Sequence, residues 1–191
     1  MSQAALKYIT PAEFIAREKS AETRSEYYRG EVFNMAGATF THNLIALNVS
    51  AHLHAALKNT ECFPIQNDLL VRIEAANLIT YPDVMVICGQ PVFYKSHQNV
   101  VTNPLLVVEV LSKSTGNYDR QAKFEFYRKL ASFKEYVLID QYKVHVEHYY
   151  LQGDGKWILT DYDDLNATLA LKNVKAQISL KDIYFRVDFG S

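Results

Sequence analysis

Cysteine, tryptophan, proline and glycine are all scarce in this chain of 191 residues, with 2 Cys, 1 Trp, 5 Pro and 7 Gly. So few breakers leave no low-complexity tract and no linker, and no internal repeat is visible. The two cysteines, Cys62 and Cys88, make no metal-ligand spacing and lie in strand-like stretches, which predicts a pair of reduced, buried thiols rather than a disulfide. No apolar run approaches the roughly 18 residues of a membrane span, and no signal peptide opens the chain, so a cytoplasmic protein without membrane partners is expected. Charge of one sign is missing as well. Twenty basic residues stand against 21 acidic ones, a net charge of −1, which argues against coating nucleic acid through global charge and leaves room for a local basic groove.

Several motifs are also absent. There is no HExxH or CxxC arrangement, no glycine-rich phosphate loop, no nucleophile elbow and no dinucleotide fingerprint. His52 and His54 are two apart on a helix, and His145 and His148 are three apart in a strand, so neither pair shares a face for zinc. His42, near a helix start, is either a capping-region residue or a phosphate or water contact.

The chain does hold enough apolar residue, 49%, for a substantial core at a mean hydropathy of −0.13. Thr10-Pro11-Ala12-Glu13 carries a capping box with proline at the first helical position, opening a helix that holds Phe14 and Ile15 and fades by Ser20. Arg29-Gly30-Glu31 turns into the strand Val32 to Met35. Helical spacing runs from Thr39 to about Lys58, through Leu44, Leu47, Ala51 and Ala55 with Ile45, Val49 and Leu53 adjoining. Cys62 to Glu74 alternates, with Phe63, Ile65, Leu69, Val71 and Ile73 on a core face and Gln66, Asp68, Arg72 and Glu74 on a polar one. Further strands surround Asp83 and Glu109, a helix follows from about Tyr118 to Leu130, and strands return at Tyr136–Asp140, Val144–Tyr150 and Trp157–Thr160, the last two joined by Gly153-Asp154-Gly155. Leu180 to Tyr184 adds a short amphipathic piece. This order predicts one α/β domain over residues 1–191.

Two carboxylates break the apolar pattern. Asp83 sits in Tyr81-Pro82-Asp83-Val84-Met85-Val86-Ile87, and Glu109 in Leu105-Leu106-Val107-Val108-Glu109-Val110-Leu111. A carboxylate is rarely buried unless it is paired or coordinates a metal. At the ends of neighbouring strands, with a backbone carbonyl nearby, the pair suits an oxygen-seeking ion such as Mg²⁺ or Mn²⁺. The plainer alternative is that each caps a strand end or pairs with a nearby Arg or Lys.

A hydrolytic metal site also needs a group to position water and offset charge. Lys123, on the helix after Glu109's strand, shares an inward side with Tyr127 and Leu130; the alternative is a lysine that buries its stem and keeps its head in water. Residues 113–135 carry six basic residues against three acidic ones, either a phosphate-facing surface or a solvated helix face. Glu31 is a further site carboxylate or a partner for Arg24 or Arg29, and Asp68 a solvent-facing residue rather than a ligand.

The ordered set Arg29-Gly30-Glu31, Tyr81-Pro82-Asp83, Val108-Glu109-Val110-Leu111-Ser112-Lys113-Ser114-Thr115 and Tyr118-Asp119-Arg120 with Lys123 and Tyr127 resembles the Uma-two family of restriction endonucleases, within the PD-(D/E)xK nuclease superfamily. The resemblance implies a restriction-endonuclease-like fold, a mixed β-sheet flanked by helices, and Mg²⁺-dependent hydrolysis of phosphodiesters in DNA. It implies that Asp83 and Glu109 are the acidic metal ligands, assisted by the Val110 carbonyl, with Glu31 a further acidic position. The superfamily's usual lysine two residues after the glutamate is replaced by Leu111, and Lys123 resembles the displaced lysine, with Lys113 its rival nearer in sequence. A catalytically silent nucleic-acid-binding or protein-interaction module of the same fold is the alternative expectation. Nucleases of this fold are often homodimers, and Tyr142, Tyr149 and Tyr150 offer either an interface or core.

Overall fold

A reciprocal cap sets the first element. In the computed structural model, which describes residues 8–66 and 68–190, the Glu13 amide donates to the Thr10 hydroxyl at 3.2 Å and the Thr10 amide to the Glu13 carboxylate at 2.6 Å. This opens α1 (Pro11–Glu18), whose Phe14 and Ile15 are fully buried. A hairpin of β1 (Ser25–Tyr28) and β2 (Glu31–Asn34) follows, turning through Arg29 and Gly30, both at positive φ. Then come α2 (Phe40–Leu57), β3 (Cys62–Gln66), β4 (Leu70–Ile73), β5 (Leu78–Thr80), β6 (Val84–Cys88), β7 (Phe93–Tyr94), β8 (His97–Val101) and β9 (Leu106–Leu111). A helical segment runs as α3 (Gly116–Tyr118), a π turn (Asp119–Lys123) and α4 (Phe124–Tyr127). The chain ends with β10 (Glu135–Asp140), β11 (Val146–Leu151), β12 (Trp157–Tyr162), β13 (Thr168–Ala170), β14 (Gln177–Ser179) and α5 (Leu180–Ile183).

The strands form two six-stranded sheets, in the orders β2-β1-β5-β4-β8-β7 and β12-β11-β10-β9-β6-β3, plus the small β13-β14 pair. The second large sheet is mixed: β9 and β10 run parallel, joined by the helical segment, while its other neighbours are antiparallel. Alternation along the strands sorts the core into layers. Ile79 and Tyr27 of the first sheet pack with Phe14 and Ile15 of α1. Its opposite face, through Val71, Ile73 and Leu78, meets Met85, Ile87, Val107 and Leu138 of the second sheet, with Phe124, Tyr127 and Phe133 filling the layer between. The far face of the second sheet, Val84, Val86, Val108 and Val137, lies against α2 and α5. The fold is the expected restriction-endonuclease-like one, a mixed sheet flanked by helices.

Three local expectations change. The alternating run from Cys62 to Glu74 is broken after Gln66, and its halves join different sheets; Asp68 takes a left-handed φ of 52° in the turn between them. The core face of that run is still right, since Phe63, Ile65, Leu69, Val71 and Ile73 all enter the inter-sheet layer. The polar face is not uniformly solvated, because Arg72 is buried over the rings of Tyr27 and Tyr94. On α2 the structure buries Ile45, Ala46, Val49, Leu53 and Leu57 and leaves Leu47 55% exposed, because apolar residues occur all round this helix and the period alone selects no face. Cys62 and Cys88 are joined in a disulfide rather than reduced: the β3–β6 register sets them directly opposite, a relation invisible before the strand pairing is known. Among the described residues no helix is long and apolar enough to cross a membrane.

Candidate metal centre

The antiparallel pairing of β6 with β9 matches Val84 to Val108 and Met85 to Val107, so the next step of the ladder brings Asp83 to Glu109. Asp83 lies in a bend immediately before β6 rather than inside the strand, which leaves its side chain 20% exposed, whereas Glu109 sits mid-strand at 4%. Backbone hydrogen bonds lock the pair together. The Val110 amide donates to Asp83 Oδ2 at 2.7 Å, and the Asp83 amide points at Glu109 Oε2 at 3.4 Å. Val110 therefore meets Asp83 through its N–H.

Glu109 Oε1 is the saturated oxygen. It receives Lys123 Nζ at 2.9 Å and the Tyr127 hydroxyl at 3.1 Å. Lys123 and Tyr127 are four residues apart on the helical segment and so reach the same partner, as their spacing predicts. Asp83 Oδ2 also faces His42 Nε2 at 3.2 Å, from the first turn of α2. The oxygens left with little or no protein donation among the described residues are Asp83 Oδ1 and Glu109 Oε2.

Two acids that the sequence did not single out complete the centre. Glu26 Oε1, from β1 of the other sheet, and Asp119 Oδ1, at the start of the π turn, each lie 3.5 Å from Lys123 Nζ. Glu26 alternates with Tyr27, whose ring is in the outer core, so a β-period reading of Ser25 to Tyr28 would have aimed it inward; the segment reads as charged and aromatic rather than as a strand. Asp119 and Lys123 at i and i+4 with both ends buried were the corresponding helical signal.

Burial pushes Glu109 well above the usual carboxylate range; Asp83 and Asp119 add to this and Lys123 opposes it. Asp119 is raised for the same leading reason. Lys123 is itself driven well above the ordinary lysine value, because Glu109, Glu26 and Asp119 hold its proton against the pull of burial. Three carboxylates thus converge on a single lysine, with Asp83 beside Glu109, an excess of negative charge that a cation would balance.

The other expected residues lie elsewhere. Glu31 is at the turn end of β2, and no hydrogen bond or ion pair among the described residues connects it to this centre, nor to Arg24 or Arg29. Arg24 instead pairs with the exposed Asp68, and Arg29 lies over the Tyr28 ring. Lys113 is exposed, with its ammonium over Tyr142, so of the two rival lysines only Lys123 touches Glu109. Of the basic residues in 113–135, Arg120 pairs with Glu147 and Arg128 with Glu125.

Comparison with known proteins places the chain in a family. Residues 11–181 match the Uma2 family, described as "Putative restriction endonuclease". Two Synechocystis sp. (strain ATCC 27184 / PCC 6803 / Kazusa) proteins described as uncharacterized, sll1609 and slr1290, are 38% and 32% identical; each alignment covers 92% of this chain, and 99% and 91% of those proteins. The crystal structure described as that of a putative nuclease belonging to DUF820 from Anabaena variabilis ATCC 29413 superposes with a TM-score of 0.74 at 17% identity, covering 92% of this chain and 97% of that one, and so shares its fold. The chain belongs to the Uma2 family, with a PD-(D/E)xK superfamily fold.

Proposed function

We propose that the protein is a Mg²⁺-dependent nuclease, with Mn²⁺ able to substitute, that hydrolyses phosphodiester bonds in DNA. The observation that supports this most directly is the convergence of Asp83 and Glu109 across adjacent strands with Lys123 Nζ 2.9 Å from Glu109. The donor set fits the ion. Among the described residues no group of three or more His, Cys, Asp or Glu side chains forms a metal cage, and Mg²⁺ is ordinarily held by one or two carboxylates together with water and substrate phosphate. Asp83 and Glu109 would hold it through the oxygens that Lys123, Tyr127 and the Val110 amide leave open, with the Val110 carbonyl as a third. When bound, the ion supplies Lewis-acid polarisation of the phosphoryl group and an acidified water.

The protein's own groups do the rest. The Val110 amide fixes the Asp83 carboxylate, and Tyr127 fixes that of Glu109. Lys123 supplies a permanent positive charge beside the reacting phosphate, offsetting charge that grows in the transition state. His42 stands on the more open, Asp83 side of the centre.

The test is cleavage of DNA by purified protein with Mg²⁺ or Mn²⁺, alongside Asp83→Ala and Glu109→Ala. Activity should vanish in both variants; cleavage that survives both would end this mechanism. The second reading, a catalytically silent binding module, draws on Leu111 standing where the superfamily lysine would be. Calorimetry with Mn²⁺ separates the two, because a silent module shows no binding that depends on Asp83.

A further inference from the structure

Lys123 reaches the centre by an unusual route. A lysine two residues after Glu109 would share its strand, and the sheet would aim it; Leu111 occupies that place with its side chain in the inter-sheet core. Lys123 instead arrives from a helical segment on a flexible four-carbon stem, which needs anchors of its own. An ammonium has three N–H donors. Three carboxylates face it: Glu109 at 2.9 Å, Glu26 at 3.5 Å and Asp119 at 3.5 Å.

Of these, Glu26 comes from the opposite sheet. It is itself held, because the fully buried Thr80 hydroxyl donates to the same Oε1 that faces Lys123. Asp119 is carried by the π turn, a wider turn of a kind often found at functional sites. The Tyr136 hydroxyl pins that turn by donating to the Asp119 carbonyl at 3.1 Å.

We propose that Glu26 is a positioning residue for Lys123: together with Thr80 it forms, from the other sheet, the anchor that a strand-borne lysine would not require. Glu26 then acts through Lys123 and not on the metal or the substrate. Its kinetic consequences rest on the nuclease reading, while its structural consequence does not.

The experiment uses the full-length protein and Glu26→Gln, which keeps the shape and removes the charge, with Thr80→Val as a second variant that frees Glu26 without altering charge. The ammonium of Lys123 is followed by ¹H–¹⁵N NMR of its Nζ group, assigned by its loss in Lys123→Met. The expected result is a displaced or broadened Nζ signal in both variants and a kcat lowered by roughly 10- to 100-fold, the usual cost of losing such a supporting partner. KM and Mn²⁺ affinity should stay unchanged. Adding Lys123→Met to Glu26→Gln should cost no more than Lys123→Met alone. An unmoved Nζ signal in both variants overturns the proposal, as does a tenfold or greater loss of Mn²⁺ affinity in Glu26→Gln, which would make Glu26 a metal ligand. If the wild-type protein cleaves no DNA, the nuclease reading falls, and the Nζ signal alone decides the positioning role.

Discussion

Lys123 Nζ and Glu109 Oε1 stand 2.9 Å apart with both side chains about 95% sealed from solvent, tying the helical segment to the middle of a mixed sheet. The contact joins unequal partners. Lys123 faces three carboxylates, so its own charge is over-compensated, while Glu109 shares a single lysine with Asp119 and Glu26.

Substitutions at the two ends should therefore differ in sign. Lys123→Met leaves buried carboxylates uncompensated and should cost about 3–5 kcal/mol of stability near neutral pH, in the range for breaking a buried pair. Glu109→Gln keeps an oxygen for Lys123 and Tyr127 and removes one surplus charge, so it should unfold at or above the wild-type denaturant midpoint while losing all activity. Urea melts of both variants check this. A Glu109→Gln protein weakened as much as Lys123→Met would show that the centre carries no excess negative charge.

Proton uptake gives a second prediction. Glu109 and Asp119 are raised in the folded protein, so each favours folding below its ordinary range, and that contribution is lost as pH climbs through the raised value. The metal-free protein should lose stability as pH rises above the ordinary glutamate value of 4.5. Lys123 adds nothing to this window, because its raised value puts its loss far into the alkaline range. A divalent cation competes with those protons. The Tm gain from Mn²⁺ should grow as pH rises above 4.5 and disappear in Glu109→Gln. A gain that shrinks over the same interval would contradict the assignment of Glu109 as a ligand.

How much of this was readable beforehand depends on whether a feature is local or relational. The α1 cap, the β11–β12 turn and the inward set Lys123 and Tyr127 are local, since period and capping chemistry declare them within a few residues. Asp83 and Glu109 stood out because a carboxylate in an apolar run is improbable on its own terms, and the family resemblance sharpened that. Glu26 and Asp119 did not stand out. Acidic residues in a mixed polar stretch look ordinary until another sheet or a π turn brings them to Lys123. The broken strand at Asp68, the buried face of α2 and the pairing of Cys62 with Cys88 failed to show for the same reason: each depends on a neighbour distant in sequence.

The disulfide is a third test. Cys62 and Cys88 close a loop with a sequence separation of 26. Linking them restricts the unfolded chain, with a typical contribution of about 2–4 kcal/mol. Reduction, or Cys62→Ser with Cys88→Ser, should lower the urea midpoint correspondingly without affecting Mn²⁺ binding, because the bridge sits at the end of β6 opposite to Asp83. Free-thiol titration of the native protein reports directly whether the bridge is formed.

The buried pair Glu135 and His148 predicts where the C-terminal part of the chain is held. Both side chains are wholly excluded from solvent, and His148 Nε2 lies 2.7 Å from Glu135 Oε1 across β10 and β11. The same carboxylate accepts from the amides of Lys172 at 2.6 Å, Asn173 at 3.0 Å and Val174 at 3.3 Å. Glu135 thus fastens the segment between β13 and β14 to the start of β10. Glu135→Ala takes the acceptor from three amides, that of Val174 among them buried, and from a fully buried imidazole, and a loss of about 3–5 kcal/mol is expected. Glu135→Gln retains an acceptor oxygen and should cost less. Hydrogen exchange separates local from global effects: in Glu135→Gln the amides of residues 172–174 should exchange faster while those of β9 keep their protection. Unchanged exchange at 172–174 would mean that the segment is held by its apolar contacts alone, through Leu171 and Val174 in the α2 core layer.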